Sequence, residues 1–324
     1  MKKCISVLVS LMLLTCLLCG AGAAEEAKTI RVVTTIFPIY DWVREVTGAD
    51  AEGVDVTLLL DSGVDLHSYQ PSAQDILAIS SADLFIYVGG ESDEWVEDVI
   101  ASAMNPDLKA VSLLDALGDD VKAEETVEGM EPEHEEEGEG EEEEEEPDEH
   151  VWLSLRNAEK LTAAIAGALA EADPARADLY AANAAAYTEK LDALDAQYTE
   201  TVENAGFSTL LFGDRFPFRY LADDYGLTYF AAFSGCSAES EASFATIVFL
   251  AQKVDELGLP AVMTIEYPKT KIADTIVQNT AEKNQKILTL DSMQGTTQQD
   301  IQNGTTYLSV MASNLDVLKE ALNR

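Results

Sequence analysis

The chain has 324 residues, 60 of them acidic against 20 basic, for a formal charge of −40 at pH 7. That length supports two lobes with cores of their own. The charge excludes nucleic acid as a partner, because a phosphate backbone needs a basic footprint, and it favours cations, whose long-range attraction salt screens beyond roughly 10 Å.

Residues 1–24 read as an export signal: Lys2 and Lys3 precede an apolar stretch, 5–18, too short to serve as a stable membrane anchor. Two processing routes stay open. Ala21-Gly22-Ala23 and Gly22-Ala23-Ala24 suit ordinary secretory cleavage, and Cys16 or Cys19 suits lipidation, although neither follows the usual small residue. Either route places the chain in the periplasm or at the outer face of the cytoplasmic membrane. Cys4, Cys16 and Cys19 all fall in this segment, so the folded part keeps Cys236 alone and no structural disulfide is expected.

A β-branched run at 29–35 predicts a strand, and Phe37-Pro38 opens a helix to about Gly48. A second strand at 54–60 leads into a polar loop, 61–70, that carries His67. A helix follows at 72–80 with Pro71 at its entrance. A strand at 83–88, a helix at 95–104 and a strand at 108–114 complete the first lobe's pattern. Strands alternating with helices predict a mainly parallel sheet covered on both faces. Residues 124–149 then break it: seventeen of the acids fall here, with no apolar periodicity, and the segment reads as a disordered acidic loop.

A helix at 157–171 precedes a long one opened by Pro174. In it Tyr180, Ala184, Tyr187, Leu191, Leu194 and Tyr198 recur at alternating steps of four and three, which keeps one face buried along its whole length. Strands are predicted at 208–212, 227–232, 261–265 and 286–290, and helices at 217–225, 241–257, 271–283 and 304–322. The fold class is therefore α/β: two lobes, each with a mainly parallel four-stranded sheet, joined by one long rigid helix. The lobes are 25–173 and 206–324, and the linking helix is 174–205.

Three histidines are present, His67, His134 and His150. His67 lies in the loop after a strand, where α/β sheets bind ligands. Asp214, Glu266 and Asp291 each follow a predicted strand of the second lobe and reach the same rim. Each acid alone reads equally as a solvated loop residue or a helix cap; the group points to a cleft between facing sheets. His150 stands where the acidic tract returns to folded chain, ahead of Trp152. Two imidazoles with carboxylates suit zinc or manganese, and no paired cysteines mark a structural zinc knuckle. Cys236 is a buried thiol or, as the sharper alternative, a hydrolase nucleophile. The chain has no HExxH, no GxSxG and no Gly-rich phosphate loop, so no enzyme is expected.

At these residues the chain resembles the solute-binding proteins of bacterial zinc and manganese ABC importers (cluster A-I). The resemblance covers about residues 29–323. It rests on Val33-Thr34-Thr35-Ile36-Phe37-Pro38-Ile39-Tyr40-Asp41, on Asp65-Leu66-His67-Ser68-Tyr69-Gln70-Pro71-Ser72, on Asp148-Glu149-His150-Val151-Trp152-Leu153-Ser154 and on Tyr225-Gly226-Leu227. It implies two α/β lobes holding one metal, an exported monomer, and delivery to a membrane permease. By position, His67 and His150 match the first lobe's ligands, and Asp291 matches the carboxylate of manganese-type members. The third family ligand should follow Phe212, where Gly213 stands; Asp214 is the substitute expected here, with Cys236 or Glu239 as second choice, or water in their place. Zn2+ is the expected cargo, Mn2+ the alternative, and a metal-binding surface adhesin on the same fold is the other function implied.

Overall fold

The computed structural model describes residues 29–48, 52–130, 146–237, 241–265 and 270–323. The export signal, the middle of the acidic tract with His134, and the candidates Glu239 and Glu266 lie outside them. In chain order the first lobe contains β1 (Ile30–Thr34), α1 (Phe37–Thr47), β2 (Val54–Leu58), α2 (Ala73–Ser80), β3 (Leu84–Tyr87), α3 (Trp95–Ala101), β4 (Lys109–Ser112) and α4 (Leu113–Leu117). All four strands are parallel in the order β2-β1-β3-β4.

After α5 (Leu155–Ala172) and α6 (Ala177–Glu203) come β5 (Thr209–Arg215), α7 (Arg219–Tyr225), β6 (Thr228–Phe233), α8 (Phe244–Leu257), β7 (Ala261–Thr264), α9 (Lys271–Asn279), β8 (Lys286–Thr289), α10 (Gln298–Gln302) and α11 (Tyr307–Ala321). The second sheet repeats the first, parallel in the order β6-β5-β7-β8.

Two local expectations change. The strand predicted at 108–114 stops at Ser112, whose hydroxyl accepts the Asp115 N–H and so caps α4. The helix predicted at 304–322 is α11, started by the capping box of Thr306, and an unpredicted short helix, α10, precedes it with a capping box of its own at Thr297.

Helix α6 runs 27 residues, about 40 Å at 1.5 Å per residue. Its buried residues are the six of the predicted seam. They pack against α5, α1 and α11, and Tyr198 donates its hydroxyl to the Met311 carbonyl at 2.6 Å. One hydrophobic core consequently runs from β1 through this spine to α11, so that both sheets share it. A smaller cluster lies where α8 and α9 cover the second sheet. Polar ties cross between lobes as well: the Tyr307 N–H donates to Asp41 at 2.8 Å, and the Tyr307 hydroxyl to the Trp152 carbonyl at 2.7 Å.

The acidic segment is built into the fold at both ends, in contrast to the disorder expected across 124–149. Ala123 pairs with Pro147 in an antiparallel bridge, the Glu124 N–H donates to the Glu146 carbonyl, and the Asp148 N–H to the Lys122 carbonyl. Here charge density does not decide the outcome. Tyr229 donates to Glu125, Arg219 stands beside it, and Met130 is buried, so these acids have partners and an apolar anchor.

Candidate metal centre

His67 is held by a turn that its own neighbour caps. β2 is extended by Leu59 and Leu60, which donate to Thr34 and Thr35. The chain then turns through a short 3-10 helix, Leu66–Ser68, with Leu66 buried beneath it. The Asp65 carboxylate accepts the His67 N–H at 3.0 Å and also pairs with Arg215 of the second lobe at 2.5 Å. Burial would raise the Asp65 pKa, but that guanidinium outweighs it and holds the carboxyl below its usual range.

His150 sits at the exit of the acidic segment, immediately before a 3-10 turn, Val151–Leu153. The turn is fixed on both sides. Tyr220 donates to the Asp148 carbonyl, and the fully buried Trp152 indole donates to the Ser292 carbonyl at 2.9 Å. Ser154 then caps α5 through the Asn157 N–H. The His150 side chain is 0% exposed and that of His67 9%.

The two rings meet Nε2 to Nε2 at 3.0 Å. Each Nδ1 faces away from the other ring, toward oxygen. The Asp148 Oδ1 lies 2.9 Å from His150 Nδ1 and also accepts the His150 backbone N–H. His67 Nδ1 lies 2.9 Å from Ser92 Oγ and 3.4 Å from Glu149 Oε2, while Glu149 Oε1 accepts the Ser92 N–H. The Asp148 carboxylate, which only accepts, places a proton on His150 Nδ1, whereas the Ser92 hydroxyl can donate to His67 Nδ1 or accept from it; the two Nε2 atoms converge. With its amide turned to donate to both Asp65 oxygens at 2.9 Å, Gln294 adds an oxygen 3.3 Å from His150 Nε2. Ring nitrogens gathered this closely share a proton or, in its place, a cation. Burial first, and then the facing His150 ring, pushes His67 down to about 3, against the opposing pull of Asp65, so this ring is neutral at ordinary pH. Burial also raises the Glu149 carboxyl.

A third group completes the cluster. Cys236 lies in the loop after β6, its N–H donating to the Glu124 carboxylate at 2.8 Å. One ligand atom each from His67, His150 and Cys236 fits within 4.8 Å of the others. Burial, and then the carboxylates of Glu124, Asp148 and Glu149, push this thiol up from its ordinary pKa.

This group takes in neither Asp214 nor Asp291. β5 does not stop at Phe212 as expected but runs on to Arg215, with a register shift against β6. Asp214 therefore lies inside the strand, accepting the N–H of Arg215 and, at 3.3 Å, of Ile265. Asp291 accepts the Met293 N–H at 2.7 Å, supporting that residue in a left-handed conformation, φ 62°, that methionine rarely adopts. It lines a neighbouring cleft of about 610 Å³ with Gly63, Thr296 and Ser309. Sequence reasoning passed over Asp148, Glu149 and Ser92. The first two carried a signal, since they directly precede His150, but in an acidic run nothing singled them out.

The model of the family described as "Zinc-uptake complex component A periplasmic" matches residues 32–321. The high-affinity zinc uptake system protein ZnuA of Bacillus subtilis is 32% identical over 93% of this chain and 90% of its own length. The zinc-binding lipoprotein AdcA of Streptococcus pneumoniae serotype 4 is 33% identical over the whole chain, which spans 62% of that longer protein. The crystal structure of the Zn(II)-bound ZnuA-like domain of Streptococcus pneumoniae AdcA superimposes with a TM-score of 0.71 at 30% identity, over 91% of this chain and all of that one.

Proposed function

The chain belongs to the family of periplasmic A components of zinc-uptake complexes, and on that premise we propose that it captures Zn2+ at His67 and His150 and delivers it to an ABC permease in the membrane. The observation that carries this reading is the pair of Nε2 atoms 3.0 Å apart, each on a ring whose Nδ1 is held by an oxygen. Imidazoles oriented in this way present Nε2 to a cation without turning. Imidazole suits zinc better than manganese, which favours carboxylate and water oxygen. The role is carriage without turnover, carried out beyond the cytoplasmic membrane. Among the described residues no helix is long and apolar enough to cross a membrane.

Elemental analysis of the purified protein, followed by competition titration with zinc and manganese, tests the proposal. The wild type should hold one zinc in preference to manganese, and His67→Ala and His150→Ala should each abolish tight binding. Zinc at 1,000 times its Kd should stabilise the fold by about 4.1 kcal/mol, a gain that both variants lose. Zinc affinity that survives both substitutions would show that the cargo binds elsewhere.

A further inference from the structure

We infer that Cys236 is the third zinc ligand, its thiolate approaching from the loop after β6 in place of a side chain from the end of β5. The inference rests on the capture of zinc at His67 and His150 and adds to it the donor that sets the site's selectivity.

Three independent features converge on this residue. The first is the cluster itself, since the Cys236 sulfur and the two histidines offer ligand atoms within 4.8 Å of one another. Tetrahedral zinc with Zn–N of 2.0–2.1 Å and Zn–S of 2.3 Å sets its donors on the order of 3.3–3.6 Å apart. The rings, at 3.0 Å, need to part only slightly, and the sulfur, within 4.8 Å of a nitrogen of each ring, needs to close in on the same ion.

The second feature is Gly213. A Cβ built there would stand 2.6 Å from the Ala273 Cα and 2.7 Å from its N. Helix α9 occupies the space, and being backbone it cannot swing aside, so no ligating side chain fits this packing at position 213.

The third is Gly235. A Cβ there would lie 3.0 Å from the Phe216 carbonyl and 3.1 Å from His150 Cε1. Without one, the chain carrying Cys236 passes directly over the His150 ring. The loop is also tied to the other histidine. Arg215 donates to the Ser237 carbonyl at 3.4 Å and pairs with Asp65, which caps the turn of His67. One arginine thus sets the spacing between the thiol and the first imidazole.

On binding, the Cys236 S–H bond breaks, its proton leaves to solvent, and the sulfur's electron pair forms the Zn–S bond. Two neutral imidazoles and one thiolate then hold the ion, with one position left to water in a tetrahedral shell. A thiolate favours zinc over manganese more strongly than the histidines do alone.

X-ray absorption on the zinc-loaded protein tests this, with titrations of Cys236→Ser and Cys236→His. The expected spectrum has one sulfur at about 2.3 Å beside nitrogen at 2.0–2.1 Å. Cys236→Ser should lose the sulfur and on the order of 100-fold or more in zinc affinity, above the loss typical of groups behind a ligand, and narrow the zinc-to-manganese ratio. Cys236→His should recover much of the affinity with an all-nitrogen and oxygen shell, which separates loss of a donor from damage to the loop. A nitrogen-only spectrum in the wild type, or Cys236→Ser binding as the wild type does, overturns the inference and leaves the histidine site standing. Zinc binding indifferent to His67→Ala and His150→Ala overturns both.

Discussion

Replacing Asp148 isolates what tautomer control contributes to metal affinity. Its buried carboxylate takes two hydrogen bonds at 2.9 Å through Oδ1, one from the His150 N–H and one from the ring Nδ1. In Asp148→Asn an amide oxygen can still accept both, but the charge holding the proton on Nδ1 is gone. Charge-assisted bonds are about twice as strong as neutral ones, and zinc should bind about tenfold more weakly, a loss of about 1.4 kcal/mol. Asp148→Ala removes the acceptor, so the proton is free to move to Nε2, the atom facing the metal. The expected loss is then about 100-fold, or about 2.7 kcal/mol. Tyr220 bonds the backbone carbonyl of Asp148, which both variants retain, so the loop keeps its path. Competition against a chromophoric chelator measures the affinities, and melting in EDTA reports the fold separately. Zinc affinity within about twofold of wild type in Asp148→Ala, against the 10- to 100-fold typical of such partners, would refute the reasoning.

Asp41 provides a test of stability away from the site. Burial, outweighing the Tyr307 N–H bond, raises its pKa from 3.8 to about 6. The folded state therefore holds this proton more tightly than the unfolded one, and stability falls as pH rises from about 4 through 6, by about 3 kcal/mol for this group. In denaturant melts Asp41→Asn should match wild type near pH 3.5 and exceed it by up to that amount at pH 7; a difference that does not vary with pH contradicts the account. Arg215→Ala strips the partner from Asp65 and unties Ser237, and because the pair is only partly buried the expected cost is about 1–3 kcal/mol. Urea titration checks it, and a change under about 0.5 kcal/mol, typical of plain surface substitutions, counts against a structural link. Replacing the glutamates at 139 and 141–145 with glutamine should leave zinc affinity within about twofold while slowing association at low salt, an effect that disappears in about 1 M salt. A tenfold change in Kd would place the tract at the equilibrium site.

Much of the architecture was legible because hydrophobic periodicity records burial directly. The tyrosine and leucine seam of α6 named every residue that the spine buries, and the β-branched runs marked the strands. What escaped depended on three-dimensional pairing. Phe212 ends an apolar run, so Asp214 read as a rim residue; the sheet extends past it because Arg215 still pairs with Phe233. Asp291 matched a metal carboxylate by position, and the bond from one of its oxygens to the Met293 N–H is a contact that sequence alone does not show. Gly213 looked like a missing ligand, while its packing against Ala273 shows that helix α9 excludes one. Cys236 gave almost no local signal, since its proximity to two histidines far away in sequence exists only once the lobes are assembled. Dense negative charge predicted repulsion, and it concealed the two acids that serve the imidazoles.

The same assembly constrains how the ion is released. A wide hinge would have to open the core that both sheets share with α6, break the Tyr307 bonds to Asp41 and Trp152, and expose the Trp152 indole that joins the His150 turn to Ser292. Uncovering a single large aromatic costs about 1.5–3 kcal/mol, and the spine presents three buried tyrosines along its seam. The ties around the metal cluster are polar and local. The Cys236 loop is held by its N–H to Glu124, by Arg215 to the Ser237 carbonyl and by the Glu149 backbone at its sulfur, whereas His150 is fully buried. On the proposed site, displacing that loop while both imidazoles stay in place would remove one donor without opening the core that both sheets share. Capture and release would then differ by a loop displacement, with both sheets anchored to the one core around the helix between them.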